Sequence, residues 1–153
     1  MIYICICIIG VVFNEIGKNN GNKKSKTNED SKNCFEYLDC NIKFLEGKVK
    51  ENNRGDKCLY VYFEFTNNSD ENQSFDYLVD CQAFQNGIEV ETNYIYDCDE
   101  ERNGSKEIQP GASITVAEVF EIGDNTQNVI LEIRPFSIWS DRLLFEKEIQ
   151  IVE

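Results

Sequence analysis

The chain predicts an all-β fold, with about seven short strands packed as two sheets. Three observations carry this. Leu59, Val61, Phe63 and Phe65 fall on one side of an extended segment, and Cys58, Tyr60, Tyr62 and Glu64 on the other. That period-2 alternation belongs to a strand with one face in a core. Turn signals also recur between such segments: Thr66-Asn67-Asn68-Ser69-Asp70, Asn86-Gly87 and Pro110-Gly111. Finally, no stretch carries a convincing helical period.

The elements follow in order. Cys34 to Leu45 reads as a first strand, blurred after Cys40. Glu46 to Lys57, with two glycines and an Asn pair, reads as a loop or exposed hairpin. Cys58–Thr66 is the strong strand, stopped by Asn and Ser residues that fold back on their own backbone. Ser74–Phe84 reads as another strand, and Asn86-Gly87 returns it as a hairpin into Ile88-Glu89-Val90. Asn93 to Gln109 is acidic and weakly patterned, a long connection crossing between sheets. After the Pro110-Gly111 turn come Ile114–Phe120, Val129–Ile138 and Leu143–Val152. Pro135 suggests an edge position or a bulge. In the last segment Leu143, Phe145, Ile149 and Ile151 share a face that Lys147 interrupts.

Aromatic residues make up 12% of the 153, enough large apolar surface for one packed core. Charge divides the chain. Residues 1–33 carry five lysines and three acids, net +2, whereas residues 34–153 carry ten basic and twenty-five acidic side chains, net −15. So acidic a body repels phosphate backbones, and nucleic-acid binding is not expected. The sequence contains no histidine. That removes the commonest general base and the usual catalytic triads, so the chain reads as a non-enzyme without a cofactor.

Three regions divide the length. Residues 1–13 hold the apolar run Ile2–Phe13, too short for a membrane span of about 20 residues and the right length for the core of an export signal. Nothing charged precedes it as the positive start of such a signal would; one explanation is a true start upstream, with Met1 inside the signal. Neither Cys5 nor Cys7 follows a small residue, as a lipidated cysteine would, and Gly10 is followed by Val11. Residues 14–33, rich in Asn and Lys, read as a flexible linker. Residues 34–153 are the sandwich. Anchor, spacer and domain in that order describe a protein tethered at a membrane, touching it through its N-terminal segment only.

Three side-chain groups are candidates for chemistry. Cys58 and Cys81 come level if their strands pair as a hairpin about Asp70, which allows a disulfide; the alternative is that both are small apolar fillers. Without histidine or a Cys-x-x-Cys pair, zinc is not expected. Asp97, Asp99, Glu100 and Glu101 form an acidic run that suits Ca²⁺ in its oxygen count but lacks an EF-hand pattern; the alternative is a solvated loop. Tyr60, Tyr62, Tyr94, Tyr96 and Trp139 are candidate ligand-stacking aromatics, Tyr60 and Tyr62 because they lie opposite the core face. Cover from the crossing connection is the alternative for those two. Asn67, Asn72 and Asn103 begin Asn-x-Ser triplets, which matter only in a eukaryotic secretory pathway.

The order of T-N-N-S at Thr66–Ser69, A-F-Q-N-G at Ala83–Gly87, I-E-V at Ile88–Val90, Q-P-G-A-S at Gln109–Ser113 and V-x-L-E-I at Val129–Ile133 resembles an uncharacterised immunoglobulin-like domain family. That family occurs in lipoproteins and other exported proteins of Gram-positive bacteria. The likeness spans Tyr37 to about Val152 and implies an immunoglobulin-like sandwich, here without the antibody disulfide. It also implies a secreted or membrane-tethered location, and it brings no catalytic residues. The resulting expectation is a non-catalytic surface domain binding a protein or a cell-wall glycan. The alternative is a sandwich-type protease inhibitor acting through loops at one end.

Overall fold

The computed structural model describes residues 32–151, apart from 95, 124, 125 and 138. The apolar segment Ile2–Phe13 and nearly all of the linker lie outside the described residues. Two four-stranded antiparallel sheets face each other. The first has the order β1 (Cys34–Tyr37), β2 (Cys40–Glu51), β3 (Lys57–Asn67) and β6 (Ser113–Glu121). The second has the order β5 (Ile88–Glu89), β4 (Val79–Gln85), β7 (Val129–Pro135) and β8 (Phe145–Ile149). Two short helices, α1 (Phe75–Leu78) and α2 (Asp99–Asn103), lie in the connections.

The sandwich is as expected, with eight strands. The first expected strand is two: Leu38 and Asp39, both at positive φ (47° and 57°), turn the chain so that Tyr37 pairs with Cys40. The segment read as a loop or exposed hairpin is the hairpin: β2 continues as far as Glu51 and turns back into β3 at Lys57. A bulge between Phe44 and Glu46 makes this work. Before it, Cys40, Ile42 and Phe44 face inward; after it, Gly47 and Val49 stand opposite the inward-facing Val61 and Leu59. The extra residue, Leu45, is left exposed, and the inward face changes from even to odd positions. Gly47 marks a close approach of the two sheets, because a Cβ there would stand 2.9 Å from Ile149 Cγ2.

Ser74–Phe84 is not one strand. Phe75 and Leu78 are buried three residues apart, the spacing of one helical face, and only from Val79 does the chain extend. The Phe75 ring plugs the core, 5.5 Å from Phe63 and 5.9 Å from Phe65. Leu59, Val61, Phe63 and Phe65 face the core as their alternation requires, opposite Ala83, Leu131 and Ile133 of the second sheet. Asn86 and Gly87, both at positive φ, close the β4–β5 hairpin. Pro135 ends β7, a central strand, opposite Val79, so it marks neither an edge strand nor a bulge. Lys147 lies across the rim of the core, with its Nζ 5.3 Å from the Phe44 ring centre and donating to Asn33 Oδ1 at 2.8 Å.

The T-N-N-S and Q-P-G-A-S segments meet at one residue. Asn67 is fully buried, and its Oδ1 accepts from Ser69 N at 3.0 Å and Ser69 Oγ at 2.7 Å. Its Nδ2 donates to Glu71 O at 2.7 Å and Ile108 O at 2.9 Å. Its backbone exchanges hydrogen bonds with Gly111 and Ala112 of the Pro-Gly turn. The two motifs therefore form one structural staple. Its fully used amide makes Asn67 a buried bracket and not a surface acceptor.

Candidate binding surfaces

The acidic connection from Val90 to Gln109 crosses from the second sheet to the first. Its start pairs with β4 through Val90 N to Ala83 O, 2.9 Å, and then with β6 through Asn93 N to Val119 O, 2.8 Å. It then runs over the outer face of the first sheet, covering Cys58, Tyr60 and Val119. Tyr60 is fully buried there. Its hydroxyl donates to Asp97 Oδ2 at 3.0 Å, and Lys50 Nζ stands 3.7 Å from its ring centre. Burial above all, and then Asp97, push the Tyr60 phenol well above its ordinary range. Tyr62 is half-buried and accepts from Lys50 Nζ at 3.3 Å. These two tyrosines are part of the structure and do not form an open platform.

The acidic run is equally committed. Asp97 accepts from Asn53 and Tyr60, which ties the connection to the β2–β3 turn. Glu101 Oε2 caps the start of α2, accepting from Asp97 N at 2.6 Å and Cys98 N at 3.0 Å. Asp99 pairs with Arg102 at 3.3 Å. Among the described residues no group of three or more potential ligands is placed to hold a metal, so the Ca²⁺ candidate does not assemble.

The disulfide expectation also fails, because β3 and β4 belong to different sheets and never pair. Cys58 lies on the outer face of the first sheet, level with Lys50 and Glu121, while Cys81 faces the space between the sheets. The five described cysteines, Cys34, Cys40, Cys58, Cys81 and Cys98, are free thiols. Burial raises Cys40, Cys58, Cys81 and Cys98 above the usual thiol range, which disfavours the reactive thiolate.

Of the five candidate aromatics, Tyr94, Tyr96 and Trp139 remain open, with Trp139 89% exposed. Tyr94 lines an open polar cleft of about 640 Å³ with Arg54, Glu91 and Glu121. Trp139, in the β7–β8 connection, has company that the sequence did not reveal. Phe136 follows directly on Pro135, and Tyr77 projects from α1 with its ring centre 6.3 Å from that of Phe136, edge to face. Both are more than half exposed. Phe136, Trp139, Pro135, Ser137 and Asp80 line an open cleft of about 500 Å³. A neighbouring one of about 420 Å³ shares Asp80, Pro135 and Ser137 and adds Gln82, Arg134 and Asp141. Arg134 is held by Glu132 and by Asp141 O. The result is an aromatic ridge with a polar, partly acidic rim. Tyr77 escaped notice because its segment reads as a strand, although the Phe75/Leu78 spacing was the available signal.

This sandwich, with its crossing connection and an open aromatic end, is matched along most of its length by a known family. Residues 16–135 fit the family described as a domain of unknown function, DUF5067, and the chain belongs to that family. Its fold is similar to that of a "putative lipoprotein" from Staphylococcus aureus subsp. aureus NCTC 8325 (13% identity, TM-score 0.62, 78% of this chain and 88% of that one). It is also similar to that of a protein from Enterococcus faecalis (19% identity, TM-score 0.55, 78% and 90%). No curated protein shows significant similarity to the chain.

Proposed function

We propose that this is a non-catalytic binding domain working at the outer surface of a cell, tethered through its N-terminal segment, and that it takes its ligand on the Tyr77–Phe136–Trp139 end. The observation that carries the reading is the convergence of three large, exposed aromatic side chains from two connections beside an open cleft. Singly exposed apolar residues are ordinary, whereas a contiguous group with a polar rim marks a contact surface. Aromatic faces flanked by Asp80, Gln82 and Ser137 suit a glycan, whose rings stack while its hydroxyls bond to the rim. The tether is supported by the order of apolar run, Lys/Asn-rich spacer and folded domain, and by the likeness of fold to a staphylococcal protein described as a "putative lipoprotein".

The test has two arms. Fractionation of the source cells with N-terminal sequencing should place the protein in the envelope or the medium, with Ile2–Phe13 embedded or removed. Full-length protein in the cytosol would sink the surface reading. The purified domain should be retained on insoluble wall material, and Trp139→Ala should abolish retention. Stoichiometric titration of a protease, with no retention on wall material, would replace the glycan reading with the inhibitor one.

A further inference from the structure

Glu118 breaks the rule that inward positions of this sandwich are apolar. It stands on β6 opposite Val61, in the same inward series as Val116 and Phe120, which face Phe63 and Leu59. No hydrogen bond or ion pair to its carboxyl occurs among the described residues. Together with Ala117 and Val119 it lines a cleft of about 230 Å³, walled by Asp76 of α1, Glu101 of α2, and Asn93, Tyr94 and Tyr96 of the crossing connection. The Cys81 thiol of β4 faces the core from the second sheet, and Asp80, its neighbour on the other side of that strand, lines the Phe136–Trp139 cleft. None of the lining residues is basic. The cations that α2 and its end carry are committed elsewhere: Arg102 to Asp99 and Tyr96 O, and Lys106 to Asn103 Oδ1.

Three carboxyls from three elements, Glu118, Asp76 and Glu101, thus line one cleft that holds no basic side chain. Glu101 is held in place by the two backbone N–H groups that it caps. Charging Glu118 in a half-buried cleft that already holds two other carboxyls is costly. Burial first, and then Asp76, Asp80 and Glu101, push Glu118 up to about 8. Burial also raises Asp76.

The cleft lies where the crossing connection is fastened to the sheet. On one side the fastening is Asn93 N to Val119 O and Glu121 N to Glu91 O, both 2.8 Å. On the other, Asn103 Nδ2 donates to Thr115 O at 2.8 Å, and Asp76 N donates to Gly104 O at 3.1 Å. Asp76 packs so closely on Gly104 that a Cβ there would meet its Oδ1 at 2.2 Å. We propose that Glu118 is a proton-operated latch: neutral, it lets the crossing connection and α2 close over β6 and α1, and on losing its proton it releases that connection from the sheet edge.

The sign follows from linkage. A carboxyl whose folded value lies above its unfolded value contributes stability that is complete below the ordinary carboxyl range and is lost as pH rises to the folded value. The opening constant of the connection should therefore grow about tenfold per pH unit between about pH 5 and about pH 8, then level off. Amide hydrogen exchange on the folded domain, corrected for intrinsic rates, measures this at the Asn93 and Glu121 amides. The expected result is that both open more readily than the β2–β3 amides, with the tenfold slope, and that Glu118→Gln removes the slope. The latch is overturned if Glu118→Gln keeps the wild-type slope. It is equally overturned if Asn93 and Glu121 exchange only at the opening constant of the β2–β3 amides, since the connection would then never open alone.

Discussion

Two groups of aromatic side chains occupy opposite circumstances in this molecule. Tyr60 and Tyr62 stand on the outer face of the first sheet, where alternation alone would leave them open to solvent. The crossing connection, Asp97 and Lys50 seal Tyr60 instead, and Tyr62, beside Lys48 and Lys50, is left half-buried. Tyr77, Phe136 and Trp139 stand at the α1–β7 end, with nothing laid over them among the described residues. The difference arises from what the chain does next, not from the side chains. A long acidic segment returns over the first group, while at the second the strands end and the connections turn outward. A face opposite the core is thus a surface only where no later segment claims it.

This contrast is broken most severely at Tyr60. Tyr60→Ala should cost about 3–5 kcal/mol, the range for truncating a large buried aromatic. Chemical denaturation would measure it, and a cost below about 1 kcal/mol would mean that the ring is not sealed, since surface changes stay in that range. Asp97→Ala comes next, because it removes the acceptor of a buried hydroxyl and unfastens the connection from Asn53. A loss of about 1–3 kcal/mol is expected, together with new solvent access to Tyr60, read as a change in tyrosine fluorescence quenching.

How far the sequence led follows the same line between local and distant causes. The strand Leu59–Phe65, the Asn-Gly hairpin and the Pro-Gly turn were legible because each is set by residues adjacent in the chain. The bulge at Leu45 was not, since it reverses which positions face inward and breaks the alternation just before Gly47-Lys48-Val49. The turn at Leu38-Asp39 was hidden because leucine rarely takes positive φ, and only the pairing of the two strands it joins imposes it. The Cys58–Cys81 register assumed that consecutive strands pair, but the chain between them forms α1 and changes sheets. Of the candidate site, Trp139 was visible as a residue. Its partners Tyr77 and Phe136 were not, because they meet through the fold.

Lys50 offers a gentler probe of the sealed side. Its ammonium lies over the Tyr60 ring and donates to the Tyr62 hydroxyl, so Lys50→Met, which keeps most of the stem, should cost about 0.5–1 kcal/mol, the worth of an exposed cation–π contact. The cost should persist in high salt, because a contact this close is screened little. A null result would reduce Lys50 to a solvated neighbour.

At the open end the expected effect on stability is the smallest of all. Trp139 touches solvent over almost its whole surface, so Trp139→Ala should move the unfolding free energy by no more than about 0.5 kcal/mol. The same substitution should remove binding to wall material, because an anchor at the centre of a contact surface carries far more of the binding energy than of the folding energy. The pairing of these two readouts separates the regions. At Tyr60 stability falls, and any loss of binding follows from unfolding. At Trp139 binding should fail in a protein that unfolds at the wild-type denaturant concentration. A large stability loss in Trp139→Ala would show that the indole is packed in solution, and the aromatic end would then belong with the sealed face.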